Sequence, residues 1–138
     1  MKPFAIKTRA KRPAPKPRSE TSIQIDIVDY LRKVLPPSAI VHHSKNEGNR
    51  GGHKGLLDGV RNKRMGVEAG FPDIAVYLPA KRVVFFEVKN ATGRATRTQQ
   101  YMWQRLKSLG FDCGLVRSID EVRNALRALD IQTREVAS

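Results

Sequence analysis

The sequence predicts an α/β fold in which helices flank a mixed β-sheet. Three observations lead to this class. Segments with helical and strand-like periodicity alternate along the chain in the order helix, strand, helix, strand, strand, helix, strand, helix. A length of 138 residues suits one domain with its own core. No segment repeats, so a solenoid or repeat array is not expected.

The first predicted helix begins after Ser19, whose hydroxyl can cap it, and ends before Pro36. Its apolar residues recur at helical spacing: Ile23, Ile27, Tyr30, Leu31 and Val34. The segment Ala39–Ser44 has the pattern of a short strand, and alternation along it predicts that either His42 or His43 faces the core. A second helix is predicted over Leu56–Met65, although Gly59 disfavours helical conformation there.

The second half of the chain supplies the other predicted elements. In order, these are strands at Ile74–Leu78 and Val83–Lys89, a helix over Thr96–Leu109, a strand at Cys113–Val116 and a helix ending at Leu129. Pro79-Ala80-Lys81 joins the first two strands as a hairpin loop. Gly110 ends the first of the helices, and Ser118 with Glu121 has the spacing of a capping box for the second.

Positive charge dominates the composition, with 26 Lys and Arg against 13 Asp and Glu and a net charge of +13. Residues 1–18 carry cations and prolines but no acid, which predicts a disordered basic arm before a single domain over residues 19–138. The remaining body is still basic. A polyanion, most simply nucleic acid, is the partner that such a charge indicates, and a merely soluble basic protein is the alternative.

Other classes of protein are disfavoured by what the chain lacks. It has no apolar run of membrane-spanning length and no secretory signal, so we expect no membrane partner. The lone Cys113 cannot form an intrachain disulfide, which favours a reducing interior, cytoplasmic or nucleoid-associated. His42, His43, His53 and Cys113 do not have the spacing of zinc ligands, and nothing indicates an organic cofactor.

Two carboxylates stand at one end of the predicted hairpin. With a three-residue loop, paired positions place Leu78 opposite Arg82 and Asp73 opposite Glu87, about 5 Å apart at Cβ. Like charges at that distance repel, and a cation such as Mg²⁺ between them resolves the repulsion. Alternatively, Asp73 caps a turn and Glu87 pairs with Lys89 or an arginine. A two-residue loop would instead place Asp73 on the other face.

The motif Pro72-Asp73…Glu87-Val88-Lys89 resembles the active-site motif of the PD-(D/E)XK nuclease superfamily, and its flanks resemble the VRR-NUC branch. The similar features cover roughly residues 20–116: Glu20 with Gln24, the segment 42–50, Met65–Asp73, Glu87–Asn90, and Gln99 before Leu106. The resemblance implies a restriction-endonuclease-like core of αβββαβ type. It also implies a Mg²⁺-dependent DNA endonuclease, with Mn²⁺ as a substitute, acting on branched DNA such as four-way junctions as a homodimer.

The resemblance also implies roles for the residues that match the motif. Asp73, Glu87 and the backbone carbonyl of Val88 would hold the metal, with Glu20 as a further acid. Lys89 would orient the attacking water, and Gln99 would hydrogen-bond at the site, with the adjacent Gln100 as a competitor. From the sequence itself, Glu20 either heads the inward stripe of the first helix or complements its dipole.

Basic and polar residues around the motif are candidates for contact with DNA phosphates. These are Lys45, Asn46, Arg50, Lys54, Arg64, Arg94 and Arg97. Trp103 is expected in the core, with a dimer contact as the alternative. Cleavage of flap or ordinary duplex DNA, or DNA binding on the same fold without cleavage, are the alternative functions.

Overall fold

The computed structural model describes residues 10, 12–44 and 53–135. The elements are α1 (Glu20–Val34), β1 (Ile40–His43), α2 (His53–Arg64), β2 (Ile74–Leu78), β3 (Arg82–Val88), α3 (Arg97–Ser108), β4 (Asp112–Val116) and α4 (Ile119–Ala128). All predicted elements are present in the predicted order. Only the start of α2 differs clearly, since this helix begins at His53 rather than at Leu56.

The four strands form one sheet in the order β1-β2-β3-β4. The β1–β2 and β2–β3 pairs are antiparallel and β3–β4 is parallel, so the sheet is mixed, as predicted. Leu78 pairs with Arg82 and Ile74 with Phe86, which confirms the register of the hairpin. Its three-residue loop turns through left-handed backbone at Ala80 and Lys81, both with φ of 62°.

The main core lies between the sheet and the helices α1 and α4. Alternation along β3 points Val84, Phe86 and Val88 into this layer. The residues that meet them from α1 and α4 are Ile23, Ile27, Tyr30, Leu31, Val34, Val122 and Leu126. Both His42 and His43 are exposed on the edge strand, so the prediction that one faces the core is wrong.

A second, smaller core lies between α3 and the other sheet face. Phe85 packs there with Ala75, Met102 and Leu106, and its ring meets those of Phe71 and Phe111 edge to face. Glu87 shares this face of β3, so the acid continues the row of residues that α3 covers. Trp103 is only half-buried, and its Nε1 is buried without a hydrogen-bond partner among the described residues.

Helix ends follow the predicted caps with one difference. Ser19 Oγ accepts the backbone N–H of Ser22 at 3.1 Å, and Ser118 Oγ accepts that of Glu121 at 3.2 Å. The Glu121 carboxylate, however, accepts the backbone N–H of Arg117 rather than that of Ser118, so the predicted capping box is only half formed. The position of Arg117 is thereby tied to the first turn of α4.

The segment before α1 is described only in part. Residues 12–18 are exposed and form neither helix nor strand, and residues 1–9 and 11 lie outside the described part. Arg18 belongs to the folded region, because its guanidinium contacts both Ser22 and Asp26 at 2.6 Å. On α2, Leu57 and Val60 are exposed. Among the described residues, no helix has the length and apolarity to cross a membrane.

Candidate active site

Asp73 joins the three antiparallel strands at one end of the hairpin. It directly precedes β2, and continuing the register by one residue places it opposite Glu87. Its carbonyl accepts the backbone N–H of Ser44 at 2.9 Å, which extends the pairing with β1. Its Oδ2 accepts the backbone N–H of Val88, also at 2.9 Å. The Asp73 carboxylate is therefore fixed beside the end of β3.

Glu87 is 2% exposed, which is rare for a carboxylate and demands partners. Its Oε1 accepts a hydrogen bond of 2.8 Å from Nε2 of Gln99, and Lys89 Nζ lies 3.7 Å from the same oxygen. Its Oε2 is buried and has no hydrogen-bond partner among the described residues. The two oxygens of this acid thus differ: one accepts a hydrogen bond, whereas the other is buried without a donor among the described residues.

The environment of Glu87 disfavours a negative charge. The pKa of Glu87 is raised to about 8, first by burial and then by the charge of Asp73, while the Lys89 ammonium opposes both. A divalent cation between the two carboxylates would reverse this balance, because it favours their ionised forms. Strongly raised pKa values of this kind occur preferentially at functional sites.

The first turn of α3 aims Gln99 at Glu87. Thr96 Oγ1 accepts the backbone N–H of Gln99 at 3.1 Å, and Gln99 Oε1 accepts that of Thr96 at 2.9 Å, which completes a capping box. The amide nitrogen of Gln99 is left to bond Glu87. Gln100 instead donates to the Ala95 carbonyl at 3.3 Å. The structure thus places Gln99, not Gln100, at the carboxylate.

Lys89 lies beside Glu87, and Glu20, from the first turn of α1, lies near Lys89. Lys89 is 9% exposed. Its backbone N–H donates to the Val116 carbonyl at 3.1 Å, so the pairing of this strand with β4 continues to Lys89. A Cβ at Gly93 would lie 2.8 Å from Glu20 Oε1 and 3.4 Å from Lys89 Cδ, so both side chains reach Gly93. Glu20 is therefore near the lysine, at the end of α1 that meets the site.

The donor set fits a cation that keeps several waters. Among the described residues, no group of three or more His, Cys, Asp or Glu side chains is arranged to hold a metal. Mg²⁺ is usually held by one or two carboxylates together with waters and substrate phosphates. Two adjacent carboxylates, one with an unpaired buried oxygen, match that requirement.

The predicted DNA-contacting residues divide into described and undescribed groups. Three of them are exposed: Arg64 at the end of α2, Arg94 between β3 and α3, and Arg97 at the first position of α3. Lys45, Asn46 and Arg50 lie outside the described residues, as does the side chain of Lys54. Arg94 and Arg97 come after the Glu87–Lys89 motif in the chain, one in the loop before α3 and the other at the first position of that helix.

Two contacts at the site involve residues for which the sequence predicts no catalytic or binding role. His43 Nδ1 lies 2.9 Å from the Asp73 carbonyl and 2.8 Å from Gln24 Nε2, which links α1 to the Asp73 backbone. Arg117 donates from Nη1 to the carbonyls of Asn90 and Gly93. Both contacts join residues distant in sequence. Gln24 and the segment that contains His43 belong to the motifs that carry the resemblance, whereas no signal in the sequence pointed to Arg117.

Comparison with known proteins shows which solved structures share this fold. Among solved structures, one described as "VRR_NUC domain protein" matches with a TM-score of 0.64 and 21% identity, over 82% of this chain and 88% of that chain. Another, described as "VRR_NUC domain", matches with a TM-score of 0.55 and 18% identity, over 80% and 97%. No family model and no curated protein matches. The chain therefore has the α/β fold of the VRR_NUC domain structures, as its motifs predict.

Proposed function

We propose that this protein is a metal-dependent DNA endonuclease that hydrolyses phosphodiester bonds. The observation that carries the proposal is the buried Oε2 of Glu87, unpaired among the described residues, beside the carboxylate of Asp73. A buried carboxylate oxygen without a donor costs stability unless a cation or proton occupies it. The similarity in fold to VRR_NUC domain structures supports the same reaction class.

In this proposal Asp73 and Glu87 hold Mg²⁺ or Mn²⁺, together with the carbonyl of Val88, and Glu20 acts nearby. When bound, the metal supplies Lewis-acid polarisation of the phosphate and lowers the pKa of a water molecule. The N–H of Val88 keeps Asp73 in place by donating to Oδ2, which leaves the other oxygen of Asp73 for the ion. Asp73 and Glu87 thus provide the anionic end of the site.

Lys89 provides its cationic end. Its ammonium, 3.7 Å from Glu87 Oε1 and largely buried, is in place to orient a water and to stabilise negative charge that develops on the phosphate. Gln99 holds Glu87 Oε1 and thereby keeps the carboxylate in one rotamer. The buried setting strengthens these electrostatic interactions because water screens them less.

DNA is the proposed substrate because the chain carries a net charge of +13 and exposed arginines follow the motif. Branched DNA, such as a four-way junction, is the favoured form by resemblance. A homodimer suits that substrate, because a junction with two-fold symmetry is resolved by two symmetric nicks. The basic arm would add contacts to backbone phosphates.

Cleavage assays test the proposal. Purified protein is incubated with a synthetic four-way junction, a flap and a matched linear duplex, each with Mg²⁺ or with EDTA. We expect Mg²⁺-dependent cleavage, fastest on the junction, and a loss of about a hundredfold or more in Asp73→Asn and in Glu87→Gln. Glu68→Gln is the matched control, because this carboxylate is exposed and pairs with Arg105.

Each result decides between the alternatives. Cleavage that persists at the wild-type rate in both Asp73→Asn and Glu87→Gln would contradict the assignment. Tight binding of the junction with no cleavage under any metal would favour a non-cleaving DNA-binding protein. Analytical ultracentrifugation tests the dimer, and a monomer at working concentration that still resolves junctions with paired nicks would argue against it.

A further inference from the structure

A compact turn follows Lys89 and closes on the side chain of Asn90. Asn90 Oδ1 accepts the backbone N–H of Gly93 at 2.8 Å, and both the N–H and the hydroxyl of Thr92 at 3.3 Å. The Gly93 N–H also lies 3.3 Å from the Asn90 carbonyl. Asx turns of this kind fix the backbone locally, and the carbonyl oxygens at the two ends of the turn can still accept further hydrogen bonds.

Arg117 satisfies those carbonyls at both ends of the turn. Its Nη1 donates to Asn90 O at 2.5 Å and to Gly93 O at 2.7 Å. A guanidinium nitrogen carries two N–H groups in a fixed plane, so one atom can hold two carbonyls at a set separation. Because Nη1 has no further hydrogen to donate, it is fully used within the protein.

The base of Arg117 is itself anchored. The residue follows β4 directly, its backbone N–H donates to the Glu121 carboxylate, and Ser118 caps α4. The guanidinium therefore extends from the junction of β4 and α4 to a turn that lies 24 to 27 residues earlier in the sequence. Movement of the turn relative to the sheet would break these bonds.

The turn is the surface against which Glu20 and Lys89 lie. The space at Gly93 is closed by Glu20 Oε1 at 2.8 Å, Asn90 Oδ1 at 3.1 Å and Lys89 Cδ at 3.4 Å from an ideal Cβ. Only a residue without a side chain fits there without displacing one of them. A shift of the turn by a fraction of an ångström therefore changes the space that the acid and the lysine occupy.

We propose that Arg117 is a positioning residue, which holds the turn Asn90–Gly93 and through it sets the placement of Glu20 and Lys89. The effect on DNA cleavage rests on the function proposed above, whereas the effect on the turn does not. Arg117 acts through the turn and need not touch DNA. An arginine that contacts phosphate would instead change the affinity for DNA and its dependence on salt.

Nuclear magnetic resonance on the metal-free, DNA-free protein tests the structural part. In Arg117→Met we expect faster hydrogen exchange of the Gly93 amide and a shifted Cε–H signal of Lys89, which Lys89→Met identifies by its disappearance. Arg127→Met is the matched control, since it removes an exposed arginine of α4, the helix that Arg117 precedes. Unchanged Gly93 exchange and an unchanged Lys89 signal in Arg117→Met would overturn the proposal, whether or not the protein cuts DNA.

Single-turnover kinetics then test the consequence. We expect the cleavage rate of Arg117→Met at saturating protein to fall about tenfold or more, because small misplacements of catalytic groups are costly, while the Kd for DNA stays within about twofold. Gly93→Ala should slow cleavage in the same way with Arg117 intact, by displacing the Glu20 carboxylate. A weakened Kd with an unchanged rate at saturation would identify Arg117 as a phosphate contact and overturn positioning. An inactive wild-type protein would refute the proposed function, and the resonance test would still decide the role of Arg117.

Discussion

Nε2 of Gln99 donates a hydrogen bond of 2.8 Å to Oε1 of Glu87, across the space between α3 and β3. The other end of the same amide accepts the backbone N–H of Thr96, so the helix cap and the buried acid share one side chain. Rotation of Gln99 would break both bonds. This arrangement ties the orientation of Glu87 to the start of α3.

Removing that amide should loosen Glu87 and weaken the proposed metal site. We expect Gln99→Ala to lower the affinity for Mn²⁺ by about 10- to 100-fold, as for other residues that orient metal ligands. Gln100→Ala is the matched control, since the side chain of Gln100 donates to the Ala95 carbonyl instead of to Glu87. Titration calorimetry measures both. Equal affinities in the two variants would contradict a role for Gln99 in holding Glu87.

The segment that leads to Asp73 passes α3 at Gly70 without room for a side chain. Gly70 has φ of +75°, and a Cβ there would lie 2.6 Å from Thr98 O and 2.9 Å from Gln99 N. We expect Gly70→Ala to lower the free energy of unfolding by roughly 3 kcal/mol, from left-handed strain and overpacking together. Gly66→Ala separates the two effects, because Gly66 has φ of +92° and no described atom within 4 Å of a Cβ.

For Gly66→Ala we expect only the strain, about 1 kcal/mol. Urea denaturation followed by circular dichroism measures both variants at equal protein concentration. Equal decreases in the two glycine variants would show that the close approach of Gly70 to the backbone of Thr98 and Gln99 does not exist in solution.

The metal-free protein should become less stable as the pH rises toward 8. The pKa of Glu87 is raised from 4.5 to about 8, first by burial and then by the charge of Asp73. Between these values the folded protein keeps a proton that the unfolded chain releases, so the free energy of unfolding falls with increasing pH. Glu87→Gln should lack this slope, while Glu68→Gln should keep it.

Thermal denaturation in EDTA across this pH range measures the difference between wild type and variant. Adding Mg²⁺ at pH 8 should restore stability to the wild type but not to Glu87→Gln, because a metal selects the ionised carboxylate. Parallel pH profiles for wild type and Glu87→Gln would contradict the raised pKa.

The basic arm should contribute to DNA affinity but not to chemistry. Deleting residues 1–17 removes most of the arm cations and retains Arg18, whose ion pair with Asp26 belongs to the folded region. We expect weaker DNA binding and a shallower dependence of log K on log salt, by about 0.9 for each phosphate that the arm neutralises. Fluorescence anisotropy at several salt concentrations measures the slope. An unchanged slope would assign the arm to another partner.

Local signals predicted most of the fold. A three-residue loop at Pro79-Ala80-Lys81 predicted the pairing of Leu78 with Arg82, and with it Asp73 opposite Glu87, whereas a two-residue loop was the alternative that the structure excludes. The sequence could not choose between Gln99 and Gln100, because that choice depends on the rotation of α3 about its axis. The capping box formed by Thr96 settles this rotation.

Contacts between segments that are distant in sequence could not be predicted from local sequence patterns. Arg117 lies 27 residues after Asn90 and resembles any surface arginine until β4 places it beside the turn. The prediction that His42 or His43 faces the core was wrong for a related reason. Because β1 is an edge strand, alternation along it does not bury one of the two side chains. Alternation along a strand predicts which side chains are buried only where one face of the strand is covered and the other is exposed to solvent.

The central claim is that Asp73 and Glu87 together bind a divalent metal ion. Isothermal titration of Mn²⁺ into wild-type protein, Asp73→Asn, Glu87→Gln and the control Glu68→Gln tests it most directly. We predict saturable binding to wild type and Glu68→Gln, with proton release near pH 7, and no measurable binding in either Asp73→Asn or Glu87→Gln. Equal Mn²⁺ affinity in all four proteins would contradict the claim.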